Sequence, residues 1–192
     1  MYLLVGLGNP GFKYTFNRHT IGYMVVDHLT KYYQLPSFKK KTKSIYTLGL
    51  VDSYKVILLK PSTYMNLSGE SLLEIKSFFN IKIDNIFVFH DEIDLRLGEI
   101  KIKQGGGHNG HNGLKSIDNY IGSGYHRIRL GVDRPTIEQI HHKKDIISKW
   151  VLTDFTEIEK KNVVQKYFNF ISNNLVYLIS KEYDCLNSNF II

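Results

Sequence analysis

Ile86-Phe87-Val88-Phe89-His90-Asp91-Glu92 is the stretch on which the fold turns. Four consecutive apolar residues, Ile86–Phe89, have no polar face, so they read as a strand buried on both sides. Strands of that kind belong to sheets covered by helices on both faces. The run ends in three polar residues, and in such sheets the chemistry collects at the carboxyl ends of strands. The rest of the chain agrees. Tyr2–Gly6 is a second short apolar run, again ending in glycine. Thr20–Tyr32 follows with Ile21, Met24, Val25 and Leu29 at helical spacing. Tyr54–Leu59 reads as a strand stopped by Pro61, and Leu67–Phe79 as a helix with Leu72, Ile75, Phe78 and Phe79 on one side. Glu99–Lys103 and Arg127–Val132 alternate polar and apolar, as half-exposed strands do. Asn112–Ile121 reads as a helix. Thr156–Ser180 reads as a long one, opened by Thr156 as N-cap with Glu159 as its capping-box partner. The tail Leu186–Ile192 has no assignment. Strands and helices alternate without repeats or low-complexity linkers. The expected fold is therefore a single α/β domain over residues 1–192, a three-layer sandwich with a mixed, mostly parallel sheet flanked by helices.

Composition narrows the function classes. The 192 residues are 43% hydrophobic, enough for a substantial core and against disorder. No run of about 18 apolar residues is present, so no membrane span is expected. The N-terminus lacks the basic region and cleavage site of a signal peptide. A single cysteine, Cys185, excludes an internal disulfide and a thiolate cluster, which makes a cytoplasmic location the default. The net charge of +7 favours a polyanionic partner. Lys39-Lys40-Lys41 with Lys43 reads as a solvated loop.

Gly6-Leu7-Gly8-Asn9-Pro10-Gly11 matches G-x-G-x-x-G directly after a strand. A dinucleotide site needs a helix to start at once and an acid about 20 positions on, at the end of a second strand. Here no helical period begins until residue 20, and Asp27 falls inside a helix. An ordinary turn at Asn9-Pro10-Gly11 is the stronger reading.

Residues 105–113, Gly-Gly-Gly-His-Asn-Gly-His-Asn-Gly, carry five glycines and four hydrogen-bonding side chains. Such a loop is poor at forming helix or strand and suits close approach to a ligand. Three kinds of chemistry compete for the histidines and acids. A histidine base acting on water needs a carboxylate to fix its tautomer; His19, just before a helix, and Asp91, at a strand end, are the pair chosen. His90, Asp91, His108 and His111 are zinc-type ligands, but the His108–His111 spacing sits in a glycine loop and no second metal motif supports it. Ser62, Ser68 and Ser71 lack a nucleophile elbow, and Cys185 lies in a poor context. Asn9, Asn66, Asn109 and Asn112 sit beside glycines or in tight motifs, where an uncharged donor–acceptor suits a substrate with carbonyls, hydroxyls and amides.

At this point the residues resemble a known family. Gly6–Gly11 with Tyr14 and Arg18-His19, Lys60–Gly69, His90–Asp94, Gly105–Lys115 and His126–Gly131 are similar, in this order, to the motifs of bacterial peptidyl-tRNA hydrolases. The resemblance covers residues 1 to about 155. It implies a monomeric enzyme, without metal or cofactor, that cleaves the ester between a peptide and the 3′ ribose at the acceptor end of tRNA. It implies His19 as the base, oriented by Asp91. It implies Asn9 as the residue that separates blocked from unblocked substrate, and Asn66 and Asn112 as substrate-binding asparagines. Tyr14 and Tyr64 match aromatic contacts near the site, and Lys101, Lys103 and Arg129 match basic positions suited to phosphates. Asn66 or a loop amide is expected to hydrogen-bond the developing oxyanion. The chain is least similar to the family after residue 155 and around Asp133-Arg134-Pro135. The competing class is an RNA-binding protein on the same scaffold, which keeps the basic residues but has no need of His19 and Asp91 together.

Overall fold

The structure, a computed structural model, describes residues 1–135 and 146–183; Cys185 and the tail from Leu186 lie outside the described residues. In chain order the elements are β1 (Tyr2–Gly6), α1 (Ile21–Tyr32), β2 (Lys39–Lys41), β3 (Ser44–Val51), β4 (Tyr54–Pro61), α2 (Ser68–Phe78) and β5 (Ile86–Glu92). They continue with β6 (Ile100–Gln104), α3 (Asn112–Ile121), β7 (His126–Gly131), α4 (Ile146–Val151), α5 (Glu157–Glu159) and α6 (Gln165–Ser180). The seven strands form one mixed sheet in the order β2-β3-β4-β1-β5-β7-β6. The central four, β4, β1, β5 and β7, are parallel, while β3 and β6 run the other way.

Alternation along the central strands divides the core into two layers. Leu4, Val56, Leu58, Phe87 and Phe89 face α1 and α6, where Val25, Leu29, Tyr167, Ile171 and Leu175 meet them. Leu3, Val5, Ile57, Leu59, Ile86 and Val88 face α2 and α3, against Leu72, Ile75, Leu114 and Ile117. Each large side chain buried this way stabilises the fold by about 1.5–3 kcal/mol. The apolar run at Ile86–Phe89 is the hinge of both layers, since it sends two residues to each.

The same alternation aims the polar end of β5. Asp91 follows Phe87 and Phe89 in parity and points to the α1 side, whereas His90 follows Val88 and points to the α3 side. Close backbone packing brings α1 to that end. A Cβ on Gly22 would lie 2.3 Å from the Phe89 carbonyl oxygen, and one on Gly6 2.1 Å from the Gly22 oxygen. Leu7 N–H donates to the Phe89 carbonyl at 3.0 Å, and Tyr23 N–H to the Leu7 carbonyl at 3.2 Å. The residues just before α1 are therefore delivered to the carboxyl end of β5.

Several features depart from the sequence reading. Lys39–Lys41 is not a loop but the short edge strand β2, and Ser44–Val51 is a full strand of a hairpin closed through Asp52 at φ 50°. β5 extends through Glu92 because β7 pairs with it to that point. The long C-terminal helix is interrupted by a π turn at Lys160–Val164, and α4 is an additional short helix. By contrast, the reading that no helix opens directly after the glycines holds: residues 12–20 form two 3-10 turns, Phe12–Tyr14 and Arg18–Thr20, and α1 begins at Ile21. No described helix is long and apolar enough to cross a membrane.

Candidate active site

His19 lies in the second 3-10 turn and is 9% exposed, while Asp91 is 3% exposed. The imidazole Nδ1 is 2.9 Å from each carboxylate oxygen of Asp91. A carboxylate can only accept, so Nδ1 carries the hydrogen and the lone pair of the neutral ring is on Nε2. Burial works against a charged His19, but the charge of Asp91 and its hydrogen bond outweigh burial and raise the ring's pKa. Burial likewise works against a charged Asp91. The neighbouring His19 and His111 overcome it and hold the carboxyl well below the usual carboxylate range.

A second histidine completes the arrangement from the opposite face of the sheet. His111 caps α3, and its Nδ1 accepts from the backbone N–H groups of Gly113 and Leu114 at 3.1 and 3.3 Å. With that lone pair engaged, the hydrogen is on Nε2, which donates to Asp91 Oδ1 at 3.0 Å. Asp91 thus accepts from two imidazoles, and the rings of His19 and His111 lie 4.9 Å apart. Behind them, His90 donates from Nδ1 to the Asp91 carbonyl at 2.7 Å. Complete burial, with His111 close by, pushes His90 down to about 3, so it is a neutral structural ring. Sequence reading placed His111 among loop residues and zinc-type ligands and missed this role. The only available signal was its position immediately before a helix.

The turn bearing His19 is held by its neighbour. Arg18, 4% exposed, donates to Thr153 Oγ1 at 3.1 Å, to the Asp154 carbonyl at 2.8 Å and to Glu159 at 2.7 Å. Its guanidinium stacks over Trp150 at 4.2 Å. Backbone bonds from Arg18 to Thr153 and from Phe155 to Phe16 join the same two segments. A buried cation with all these partners is a rigid anchor, because leaving it unpaired is costly. Trp150 was not singled out by the sequence, and Arg18 and Glu159 were read there only as a motif residue and a capping-box partner.

One of the asparagines contacts Met65 directly. Asn9 Oδ1 accepts from Met65 N–H at 2.9 Å. Asn66 is the next residue in the 3-10 turn Met65–Leu67 and is exposed. Asn112 opens α3, also exposed, beside Gly113, where a Cβ would lie 2.5 Å from Met65 Sδ. Asn109, at φ 46°, is an exposed turn residue in the glycine loop instead. Tyr14 sits under Lys13 at 4.7 Å, and Tyr64 is exposed just before the Met65 turn. Ser68 and Ser71 are fully buried and bonded to Met65 and Ser44, which makes them packing groups rather than nucleophiles.

Lys101 pairs with Arg129 across β6 and β7, and Lys103 with Arg127, so all four side chains share one face of that sheet end. Lys101 and Lys103 are exposed. Arg129 is engaged with Glu92 at 3.0 Å, so an incoming anion competes with that pair. Lys103, Arg129 and His90 line a cavity of about 160 Å³ beneath the glycine loop. Arg127 ties that loop down through the Gly107 carbonyl at 2.5 Å and reaches Asp118 at 3.0 Å.

His19, Asp91 and His111 also satisfy the geometry of a possible cation site, with ligand atoms within 4.8 Å of one another. His108, one of the four zinc-type ligands of the sequence, is not in this group; its Nδ1 accepts from Gly110 N–H at 3.1 Å. The atoms that face each other in the group already form donor–acceptor pairs, which is the arrangement of a base with its orienting carboxylate.

The chain is similar to known proteins over most of its length. A family model described as peptidyl-tRNA hydrolase matches residues 3–190. A peptidyl-tRNA hydrolase of Rickettsia prowazekii is 45% identical over 174 residues, 90% of this chain and 91% of its own. One from Ehrlichia canis is 41% identical over 182 residues, covering 95% and 90%. The crystal structure of peptidyl-tRNA hydrolase from Acinetobacter baumannii superposes with a TM-score of 0.86 at 33% identity, over 96% of this chain and 91% of that one.

Proposed function

The chain belongs to the peptidyl-tRNA hydrolase family, and we infer from this that it hydrolyses the ester joining a peptide to the 3′ ribose of tRNA, with His19 as general base. The observation that carries the mechanism is the buried Nδ1–carboxylate contact between His19 and Asp91. It leaves the Nε2 lone pair to take a proton from water as that water attacks the ester carbonyl. Asp91 holds the ring in this tautomer and stabilises the imidazolium that forms. His111 is a positioning residue: it fixes one oxygen of Asp91 and links it to the start of α3. The negative charge on the carbonyl oxygen is met by an amide donor, Asn66 or a backbone N–H of the glycine loop. Proton transfer then frees the ribose hydroxyl, and a peptide and a free tRNA leave.

Asn9 serves selection. Its carbonyl end is engaged by Met65, which turns the –NH2 end into the donor for a peptide carbonyl. A free α-ammonium offers no such carbonyl and loses hydration, so unblocked aminoacyl-tRNA is rejected through unpaired polar groups. Asn112, Tyr14 and Tyr64 border the substrate, and Lys101, Lys103 and Arg129 take phosphates at the acceptor end without reading sequence. The enzyme acts as a monomer in the cytoplasm, on one domain and without a metal.

The test is release of N-acetylaminoacyl groups from tRNA by the purified protein in chelator, beside His19→Ala and an unblocked aminoacyl-tRNA. We expect cleavage of the blocked substrate alone, and a fall in kcat of about 10²–10⁴ for the variant. Binding of tRNA without cleavage would leave an RNA-binding protein on this scaffold. Loss of activity in chelator, restored by zinc, would assign the His19–Asp91–His111 group to a metal.

A further inference from the structure

Trp150, the only tryptophan of the chain, lies in the short helix α4 and meets two parts of the site at once. Its ring carries the Arg18 guanidinium at 4.2 Å, and the ring of Phe155 lies 5.1 Å from the same guanidinium. Its indole N–H donates to the Asp133 carbonyl at 2.7 Å and to the Val132 carbonyl at 3.2 Å. The first contact is with the chain neighbour of His19. The second is with the two residues that follow Gly131, the last of β7, just beyond Arg129.

Hydrogen bonds carry both contacts on into the site. On the base side, the Trp150 carbonyl accepts from the Thr153 N–H at 2.9 Å and from its hydroxyl at 2.7 Å. Thr153 accepts in turn from Arg18, through Oγ1 at 3.1 Å and through its carbonyl at 3.0 Å. On the strand side, Val132 N–H donates to the Glu92 carbonyl at 3.1 Å, and Asp133 N–H to the Leu95 carbonyl at 3.2 Å. Asp133 Oδ1 accepts from Leu97 N–H at 3.1 Å. Glu92 follows Asp91 in β5 and is the partner of Arg129. A network of this kind is stiff, because a bond left unmade at a buried polar group is costly.

We propose that Trp150 is a positioning residue that holds the His19 turn in register with the end of β7, so that the base meets the ester of a tRNA whose phosphates lie on the β6–β7 side. This assignment rests on the reading of His19 as the base and of Arg129 as a phosphate ligand. Ester and phosphates belong to one substrate molecule, so phosphates held at Arg129 fix where the ester lies, and the base has to stand at that place. The two ends of the indole have separate duties. The ring covers the buried Arg18 and keeps the turn in place. The N–H ties that turn, through α4, to the strand that carries Arg129.

Two measurements on the full chain test it. Trp150→Phe keeps a ring under Arg18 and removes the N–H, while Trp150→Leu removes both. In the first measurement, kcat and KM are compared for an N-acetylaminoacyl-tRNA and for the same ester on a 3′-terminal trinucleotide, which lacks most of the phosphates. Trp150→Phe should lose about two- to tenfold on the tRNA, the worth of one hydrogen bond, in kcat rather than KM, and less on the trinucleotide. Trp150→Leu should lose about 10–100-fold in kcat on both, because the turn itself shifts. In the second, titration of the His19 ring is followed by NMR. Asp91 from β5 and His111 from the start of α3 face that ring, and Arg18 beside it is paired with Glu159. Asp91 raises the ring, so a loosened turn in Trp150→Leu should bring the midpoint down toward the ordinary 6.5 of histidine, with the native value kept in Trp150→Phe. An equal loss on the two substrates in Trp150→Phe would overturn the assignment. So would an unmoved midpoint in Trp150→Leu, which would make Trp150 a packing residue whose loss only lowers the folded fraction. If Trp150→Leu does not fold, the ratio of losses in Trp150→Phe decides. If the native chain cleaves neither substrate, the ester-hydrolase reading fails, and the His19 midpoint still decides whether Trp150 holds the turn.

Discussion

At the scale of single residues, the geometry of the proposed site assigns hydrogens. Asp91 can only accept, so it dictates which nitrogen of His19 and which of His111 carries a proton. Asp91 also raises His19. A base must be neutral to act, so kcat/KM should climb with pH through a value above the ordinary 6.5 of histidine. In Asp91→Asn the amide can no longer hold the ring in the right tautomer, and burial is left as the dominant influence on His19. A pH–rate profile of that variant should show a lower plateau and an acid limb moved to lower pH; a limb that stays in place would detach Asp91 from the base. His90 has the opposite sign. It is neutral in the fold down to about 3, whereas in the unfolded chain it takes up a proton near 6.5. Its contribution is complete above 6.5 and is lost as pH falls from there toward 3. His19, raised in the fold, contributes below 6.5 and loses that contribution as pH rises through its folded value. Urea unfolding at pH 7.5 and pH 5 should therefore show a smaller loss on acidification for His90→Leu than for the native chain, whatever the variant costs at pH 7.5.

At the scale of elements, the C-terminal helix start shows how local and distant demands meet in one side chain. Thr156 and Glu159 form the full capping box read from the sequence, and Glu159 is also the partner of Arg18. Thr156→Ala should cost about 0.5–2 kcal/mol in stability with native kcat, since it removes one cap bond. Glu159→Leu should lower stability further and lower kcat as well, because it also removes the carboxylate from the buried Arg18 beside the base. Equal kcat in the two variants would show that the anchor does not transmit to His19. Legibility followed the same line. Strands, caps and helices whose cause is within a few residues were readable: Ile86–Phe89, Asn112–Ile121 and the capping box. The hairpin strand Ser44–Val51 was not, because Gly49 and the lysines beside it hide an alternation that only pairing with β4 settles. His19 and Asp91 were legible as chemical types through motif order. The second imidazole on Asp91 was not, because it arrives from the opposite layer and nothing in residues 105–113 names its partner.

At the scale of the whole molecule, the parallel centre of the sheet gathers the candidate active site at one end, and two layers of helices approach that end from opposite faces. The α1 layer brings His19 and the α3 layer brings His111. Arg18 adds a dependence on chain length, since its partners lie 135 to 141 positions further on. A chain ending at residue 145 retains every strand found among the described residues but none of those partners. It should bind tRNA yet cleave blocked substrate at a small fraction of the native rate, and activity at the native level would show that the turn is stable alone. Seen from the ribosome, the same contact is a timing device. While the chain is being made it is itself a peptide esterified to tRNA, the very bond it will later break. The turn that carries the proposed base stays unanchored until synthesis has passed Glu159, so no copy matures into a hydrolase before its own translation has passed that point.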